Sequence, residues 1–321
     1  TITMGIQYLN RILRTYAASG IREISLRSLK GKTLAVDTSI YLYRYQAEDA
    51  LIENMYLMIS LFRHYNITPV FVFDGEPPAE KKELLEERKR DKEFAKQRWL
   101  ELENQLNTCD NNEDGDKVNE LIEEMDKEKK KFVKISWQNI RDVKDLMNAY
   151  GVNIIEAEGE ADQVCAKLVQ KKLVDGCLSE DMDMFVYGCN KVYRYLSLLN
   201  STVVQYDLKK ILLELNLTLT EFKQICILSG TDYNVHLDEQ LNIYASLKLF
   251  GKYKKKRAKD FFVWLNDCEK ISDYSKLINV YNIFDIYKHN INFSKSKFRN
   301  KYYDGENVRN IMKQNGFIYI N

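Results

Sequence analysis

The sequence predicts an α/β fold: a mostly parallel, twisted sheet flanked by helices, with a charged helical insertion and a helical C-terminal region. Two observations carry this. Short runs of apolar, β-branched and aromatic residues alternate with segments of helical spacing, the pattern of βαβ units. Four such runs also end on acidic residues, and open parallel sheets gather their ligands at the carboxyl ends of strands.

The first helical segment runs from Ile6 to Tyr16 (Ile6, Leu9, Ile12, Leu13, Tyr16), with Met4 read as a natural start after Thr1–Thr3. Thr33-Leu34-Ala35-Val36-Asp37 is a buried strand ending on a carboxylate, and Thr38 or Ser39 can cap the helix that follows. A helix from about Leu51 to Tyr65 leads to a second strand, Pro69-Val70-Phe71-Val72-Phe73, which ends at Asp74. From Pro77 onward the composition changes. Glu80–Leu106 is long, charged and weakly amphipathic, Asn107–Asp116 is a polar loop, and Lys127–Lys134 holds five lysines in eight residues. This is either a solvated helical hairpin or a functional flap over the strand ends.

Ser136 caps the next helix and Gly151 stops it. Val152–Ala157 is the third strand, and Gly159–Lys172 a helix whose first turn holds Glu160 and Asp162. Val174–Ser179 is the fourth strand, ending at Asp181 and Asp183, and Val192–Leu196 the fifth. Thr220–Leu228 is a helix running into Ser229-Gly230-Thr231-Asp232. Helical spacing returns at Leu241–Tyr253, Asp260–Trp264, Lys276–Tyr287 and Glu306–Gln314.

The 321 residues suffice for one large or two modest domains, and 45% apolar with 30% charged residues describes an ordinary water-exposed chain. No apolar run is long enough to span a bilayer and no signal peptide is legible, so no membrane and an intracellular location are expected. The six cysteines (Cys109, Cys165, Cys177, Cys189, Cys226, Cys268) have no metal spacing, and Cys165 and Cys177 read as small core residues. Net charge is +1, from 48 basic and 47 acidic residues. With seven acids set aside as ligands, the remainder carries about +8, a basic exterior around an acidic pit.

Those seven are Asp37, Asp74, Glu160, Asp162, Asp181, Asp183 and Asp232, all expected at one sheet edge. All-oxygen ligation selects Mg²⁺, with Mn²⁺ able to substitute, over zinc. Seven carboxylates exceed what one Mg²⁺ uses, so two ions per site are expected. Such a pair supports in-line displacement at a phosphodiester. The three histidines (His64, His236, His289) are scattered, and no phosphate-binding glycine loop is present.

Six blocks then resemble flap endonucleases, structure-specific 5′ nucleases built on a PIN-like domain: Met4-Gly5-Ile6, Ala35-Val36-Asp37-Thr38-Ser39, Val72-Phe73-Asp74-Gly75-Glu76-Pro77-Pro78, Glu158-Gly159-Glu160-Ala161-Asp162, Ser179-Glu180-Asp181-Met182-Asp183 and Gly230-Thr231-Asp232-Tyr233. The resemblance implies a Mg²⁺-dependent nuclease of replication and repair. Such an enzyme cuts DNA at single-strand/double-strand junctions, as a 5′-flap endonuclease and 5′–3′ exonuclease. By position it makes the seven acids metal ligands, Lys81 and Arg88 catalytic contacts to the scissile phosphate, and Tyr43 a base-stacking ring. Lys130, Lys131 and Lys134 become basic positions of a helical arch, and Gly5 an N-terminal glycine near the DNA. It divides the chain into 4–106 (nuclease region with the first arch helix), 107–135 (arch loop and returning limb), 136–235 (internal nuclease region) and 236–321 (a helix-turn-helix-like DNA-binding element and the last helices).

The chain departs from the pattern at five places. Asp162 stands where the family carries Glu. The arch is longer than usual. Asn242 replaces a glycine in a turn associated with potassium, where Asn is the best non-glycine substitute for a left-handed conformation. Tyr244 replaces a lysine, and Lys254, Lys255, Lys256 and Arg257 are expected to supply duplex contacts instead, the other reading being a nuclear-import signal or a solvated helix end. The tail has only a faint echo of a sliding-clamp motif at Gln314–Tyr319, so a clamp partner is not expected. The expected partner is branched or flapped DNA, bound by a monomer. The richness in Ile, Asn, Lys and Tyr hints at an AT-rich genome, a viral one included, and the expected location is the nucleus or a site of viral DNA replication. A non-catalytic nucleic-acid scaffold of the same fold and a 5′–3′ RNA exonuclease are the alternatives.

Overall fold

The computed structural model describes residues 5–108, 115–234, 241–256, 260–286 and 298–318. Among these described residues seven strands form one sheet: β1 (Ile21–Ser25), β2 (Thr33–Asp37), β3 (Thr68–Phe73), β4 (Asn153–Glu156), β5 (Gly176–Leu178), β6 (Lys191–Ser197) and β7 (Thr202–Asp207). Their order is β1-β7-β6-β5-β2-β3-β4. β6, β5, β2, β3 and β4 run parallel, while β7 and β1 add an antiparallel edge. The sheet is thus mostly parallel, as the strand–helix alternation predicts.

The central strands are apolar on both faces because helices cover both. Val36, Val70, Phe71 and Val72 are fully buried. Below one face pack the helices Leu9–Tyr16, Ala161–Gln170, Leu208–Leu215, Leu219–Leu228, Ile243–Lys256, Phe261–Asp267 and Tyr274–Ile283. Over the other lie Thr38–Ala47, Leu51–His64, Trp137–Tyr150 and Gly305–Gln314. The last helix therefore returns to the opposite face from the three helices before it. Val308 and Met312 bury there, and Tyr303 packs on Tyr150 (5.4 Å between rings) beneath the Arg63 guanidinium (4.0 Å).

The antiparallel edge and the helix Leu208–Leu215 were not legible in the sequence. β1 carries Arg22 and Glu23 side by side on an exposed edge, without the alternation that marks a half-buried strand. The turn into β7 uses Ser201 in a left-handed conformation rather than an Asn-Gly pair.

The charged insertion is a helical hairpin, Lys82–Thr108 and Gly115–Lys129. Its limbs meet through sparse apolar contacts. Ala95 and Leu102 are buried, Trp99 meets Phe132 edge-on at 6.2 Å, and Arg98 bridges to Glu124 at 3.0 Å. The outer part of the expected loop, 109–114 with Cys109, lies outside the described residues, as do His236, Arg257 and His289. Among the described residues no helix is long and apolar enough to cross a membrane.

Candidate active site

Four parallel neighbours, β5, β2, β3 and β4, end at one edge, so the acids that follow them are brought together by topology alone. Asp37 closes β2 and occupies the position before the helix Thr38–Ala47, where Thr38 or Ser39 was expected to cap. It makes no capping bond, so its carboxylate stays available to the site. The Ser179 hydroxyl donates to Asp37 Oδ2 at 2.8 Å and also accepts from Asp181 N–H at 3.1 Å. Ser179 thereby ties the ends of β2 and β5 together.

Asp74 follows β3 and accepts from Ala161 N–H at 2.7 Å. It caps the helix Ala161–Gln170 from outside, while Glu160 holds the cap position with its side chain free of that duty. The helix starts two residues later than the spacing predicts, because Gly159 and Glu160 are used in the approach. Gly75 N–H donates to Gly159 C=O at 2.7 Å and Glu76 N–H to Glu158 C=O at 3.2 Å, which clips the two loops together. A Cβ on Gly75 would lie 2.2 Å from the Ala157 carbonyl, so only glycine permits this approach.

Asp181 and Asp183 follow β5. Asp183 N–H donates to Asp181 Oδ1 at 2.8 Å, and Asp183 opens the short helix Asp183–Val186. Gly5, with φ +71°, lies directly against both. A Cβ there would come within 2.5 Å of Asp181 Oδ1 and 2.8 Å of Asp183 Oδ1. Asp232, the seventh acid, lies beyond the helix Leu219–Leu228 and reaches the same cluster through two cations.

Those cations are Lys81 and Arg88. Lys81, only 6% exposed, places its amine 2.5 Å from Glu160 Oε2 and 3.9 Å from Asp232 Oδ2. Arg88 donates to Asp232 Oδ2 at 2.9 Å. The Lys81 amine also sits 4.9 Å over the ring of Tyr233, whose hydroxyl is held by Gln163 and Tyr187. Burial alone would lower the pKa of Lys81, but Asp162 and its other anionic neighbours outweigh it, and the amine is held protonated.

The electrostatics show a deficit of positive charge. Burial first, then the charges of Asp74 and Asp162, push Asp37 well above the usual carboxylate range. Burial raises Asp162 to about 8 despite Lys81, and burial with Asp232 raises Asp181 to about 6. Asp183 is raised well above the ordinary value by burial and by Asp181, and its Oδ1 is buried without a hydrogen-bond partner. One lysine and one arginine do not neutralise seven carboxylates.

Among the described residues no three acidic, histidine or cysteine side chains are drawn close enough to hold an ion as they stand. Lys81 lies between Glu160 and Asp232, and Arg88 pairs with Asp232. The donor set still fits hard divalent cations: it is all oxygen, it is short of positive charge, and it contains an orphaned carboxylate oxygen.

A stability test follows with a defined sign. A carboxylate whose folded pKa exceeds its unfolded value near 3.8 contributes stability at low pH that is lost as pH rises through the folded value. With Asp162 at about 8 and Asp181 at about 6, the melting temperature in EDTA is expected to fall between about pH 5 and pH 8.5. Mg²⁺ should raise it more at pH 8 than at pH 5.5. A flat or rising profile in EDTA, measured by calorimetry, would contradict the charge deficit.

The other expected residues are placed as follows. Tyr43 is half-exposed, with the Lys92 amine 4.9 Å over its ring. Lys92, four residues after Arg88, also donates to Val133 C=O and has its pKa lowered by burial and by the charges of Arg88 and Lys134. Sequence reasoning passed over it, although the 81/88/92 spacing places all three on one helix face. Lys134 is exposed near this group. Lys130 and Lys131 are exposed but pair with Asp126 (2.8 Å) and Glu128 (2.5 Å) in the helix before them. Lys254 pairs with Glu221 at 2.5 Å, while Lys255 and Lys256 are exposed.

Asn242 corrects an expectation. It is not left-handed. Its Oδ1 accepts from Tyr244 N–H and Ala245 N–H, both at 3.1 Å, so it caps the helix Ile243–Lys256 and needs extended backbone to do so. Gln240, in the turn where potassium is expected, lies outside the described residues. Glu180, beside the expected ligands, supports the turn that carries them. It accepts from Tyr195 N–H at 2.6 Å, and the buried Arg194 donates to its main-chain carbonyl at 2.8 Å, which fixes the turn carrying Asp181.

Two domain families match the sequence: the XPG N-terminal domain over residues 4–95 and the XPG I-region over residues 151–232. The first contains Asp37, Asp74, Lys81, Arg88 and Lys92, and the second the remaining five acids, with Asp232 as its last residue. Most of the hairpin lies between the matched blocks. Flap endonuclease 1 of Glycine max is 31% identical over 249 residues, covering 72% of this chain and 62% of that protein. Flap endonuclease 1 of Encephalitozoon cuniculi is 34% identical over 248 residues, covering 72% of this chain and 68% of that protein. The chain spans about three fifths of the length of the plant relatives it matches. The catalytic core of Rad2 in complex with DNA substrate shares the fold, with a TM-score of 0.65 at 24% identity over 94% of this chain and 93% of that one.

Proposed function

The chain belongs to the flap endonuclease (XPG) family, and on that premise we propose that it is a divalent-metal-dependent, structure-specific 5′ nuclease acting on branched DNA. The observation that carries the reading is the buried acidic cluster at the strand ends, with Lys81 and Arg88 inserted into it from the base of the charged hairpin.

Asp37, Asp74, Glu160, Asp162, Asp181, Asp183 and Asp232 would hold two Mg²⁺ ions, with Mn²⁺ able to substitute. When bound, the pair supplies a hydroxide nucleophile at neutral pH and offsets charge on the leaving oxygen. The chain's own residues do the rest. Once the carboxylates have another counter-charge, Lys81 and Arg88 are freed to hold the scissile phosphate, and the ring of Tyr233 under the Lys81 amine keeps it aimed at the cluster. Tyr43, beside Lys92, offers a half-exposed ring on which a base next to that phosphate can stack. The hairpin, held by few apolar contacts, suits a segment that adjusts around a single strand.

The test is a panel of 5′-labelled flap, nicked, gapped, bubble and four-way-junction duplexes with Mg²⁺, Mn²⁺ or EDTA. Incision within a few nucleotides of the flap junction is expected with metal and none with EDTA. Absence of incision on every branched substrate with both metals would overturn the proposal.

A further inference from the structure

The helix Tyr274–Ile283 contributes no acid to the site, yet its carboxyl end is held from inside the core by two buried lysines. The Lys223 amine donates to the Phe284 carbonyl at 3.3 Å, and the Lys167 amine donates to the Ile286 carbonyl. The last carbonyls of a helix lack partners within it and carry its negative dipole end, so a cation is a fitting donor there. A buried lysine is still a costly way to fill a core. What it adds over an apolar side chain is direction, because a hydrogen bond fixes a main chain that packing alone leaves free to slide.

The two lysines come from the helices that border the acids. Lys167 is on Ala161–Gln170, which opens beside Glu160 and holds Asp162 in its first turn. Lys223 is on Leu219–Leu228, which runs on to Asp232. The Phe284 ring, fully buried, meets Tyr187 at 4.6 Å and Tyr233 at 5.4 Å between centroids, the second pair nearly perpendicular at 87°. Tyr233 is the ring beneath the Lys81 amine. Its hydroxyl oxygen lies 2.9 Å from that of Tyr187 and accepts from Gln163 Nε2 at 3.2 Å. The ring that faces the amine is thus pinned at its hydroxyl and braced by Phe284.

We propose that Phe284 and Tyr187 are positioning residues for Lys81, acting through Tyr233. They fix the tilt of the Tyr233 ring, and that ring fixes where the Lys81 amine lies. Lys167 and Lys223 hold the Phe284 main chain in place for this. The proposal rests on the nuclease reading and deepens it, since a helix remote from the acids in sequence enters the chemistry through one ring. Core packing would ask of these aromatics only that they stabilise the fold. Positioning asks something else: that they matter to the rate only while Lys81 is present.

A double-mutant cycle reads that difference. Single-turnover cleavage of a 5′-flap duplex at saturating Mg²⁺ is measured for the wild type, Phe284→Leu and Tyr187→Phe, and for each change in the Lys81→Ala background, with DNA affinity taken by anisotropy. Phe284→Leu is expected to cleave about tenfold more slowly than the wild type, because a small misplacement at the reacting centre costs rate steeply. Tyr187→Phe keeps the ring and drops only the hydroxyl beside Tyr233, and is expected to cleave about threefold more slowly. DNA affinity stays at the wild-type value in both. In the Lys81→Ala background neither change should lower the rate further, since no amine is left to place. Equal rate losses with and without Lys81, or wild-type rates in both variants, would overturn the inference and leave the nuclease reading intact. Should Phe284→Leu fail to fold, Tyr187→Phe decides by itself. A wild type that cleaves no branched substrate would defeat the nuclease reading, and the inference with it.

Discussion

Asp181→Ala is expected to reduce flap cleavage at saturating Mg²⁺ by about 10³-fold or more, without loss of folding. Asp181 is buried between Asp183, whose N–H it accepts at 2.8 Å, and the charge of Asp232. Removing it takes a central donor from the cluster and leaves Asp183 N–H without its partner. It also removes one of several crowded like charges, so the metal-free variant should melt no lower than the wild type at pH 8. Inactivity combined with undiminished stability is the signature of a site that holds strain for its chemistry. Single-turnover cleavage and calorimetry together test this. Cleavage within tenfold of the wild type would remove Asp181 from the metal site.

Lys81→Ala should lower cleavage by about 10²–10³-fold while DNA affinity changes by less than about threefold, since one phosphate contact among many is lost. Two roles have to be separated, because the same amine neutralises Glu160 and Asp232 in the metal-free protein. Were neutralisation its whole contribution, saturating Mg²⁺ would substitute for it and restore cleavage. The expected result is that the defect persists at saturating Mg²⁺, while the melting temperature lost in EDTA is recovered. A proportional fall in cleavage and affinity would make Lys81 a binding residue only.

Much of the site was legible before the fold was known, for a specific reason. An apolar run that ends on carboxylates is rare unless something neutralises them, and such runs ending at Asp37, Asp74 and Asp181 point to a shared cation. Lys81 and Arg88 were reached by resemblance. Lys92 was passed over because a lysine in a charged helix carries no signal of its own. Ser179, Tyr233 and Arg194 were equally silent, since their importance lies in what they touch across the chain.

Asn242 shows the same limit from another side. Its residue type suits both a left-handed turn and a helix cap, and only the position of the Tyr244 and Ala245 amides decides between them. The edge strand β1 was invisible because an exposed strand need not alternate.

The sequence by itself determined the sheet class, the seven carboxylates and the charged hairpin, because burial patterns and unpaired charge are local properties of a chain. The tertiary structure alone decided that Lys81 and Arg88 occupy the charge deficit, that Asp74 caps a helix 87 residues away, and that Phe284 meets Tyr233. Each of these is a meeting of segments far apart in the chain, set by strand order and helix packing, and none is written in any one stretch of residues.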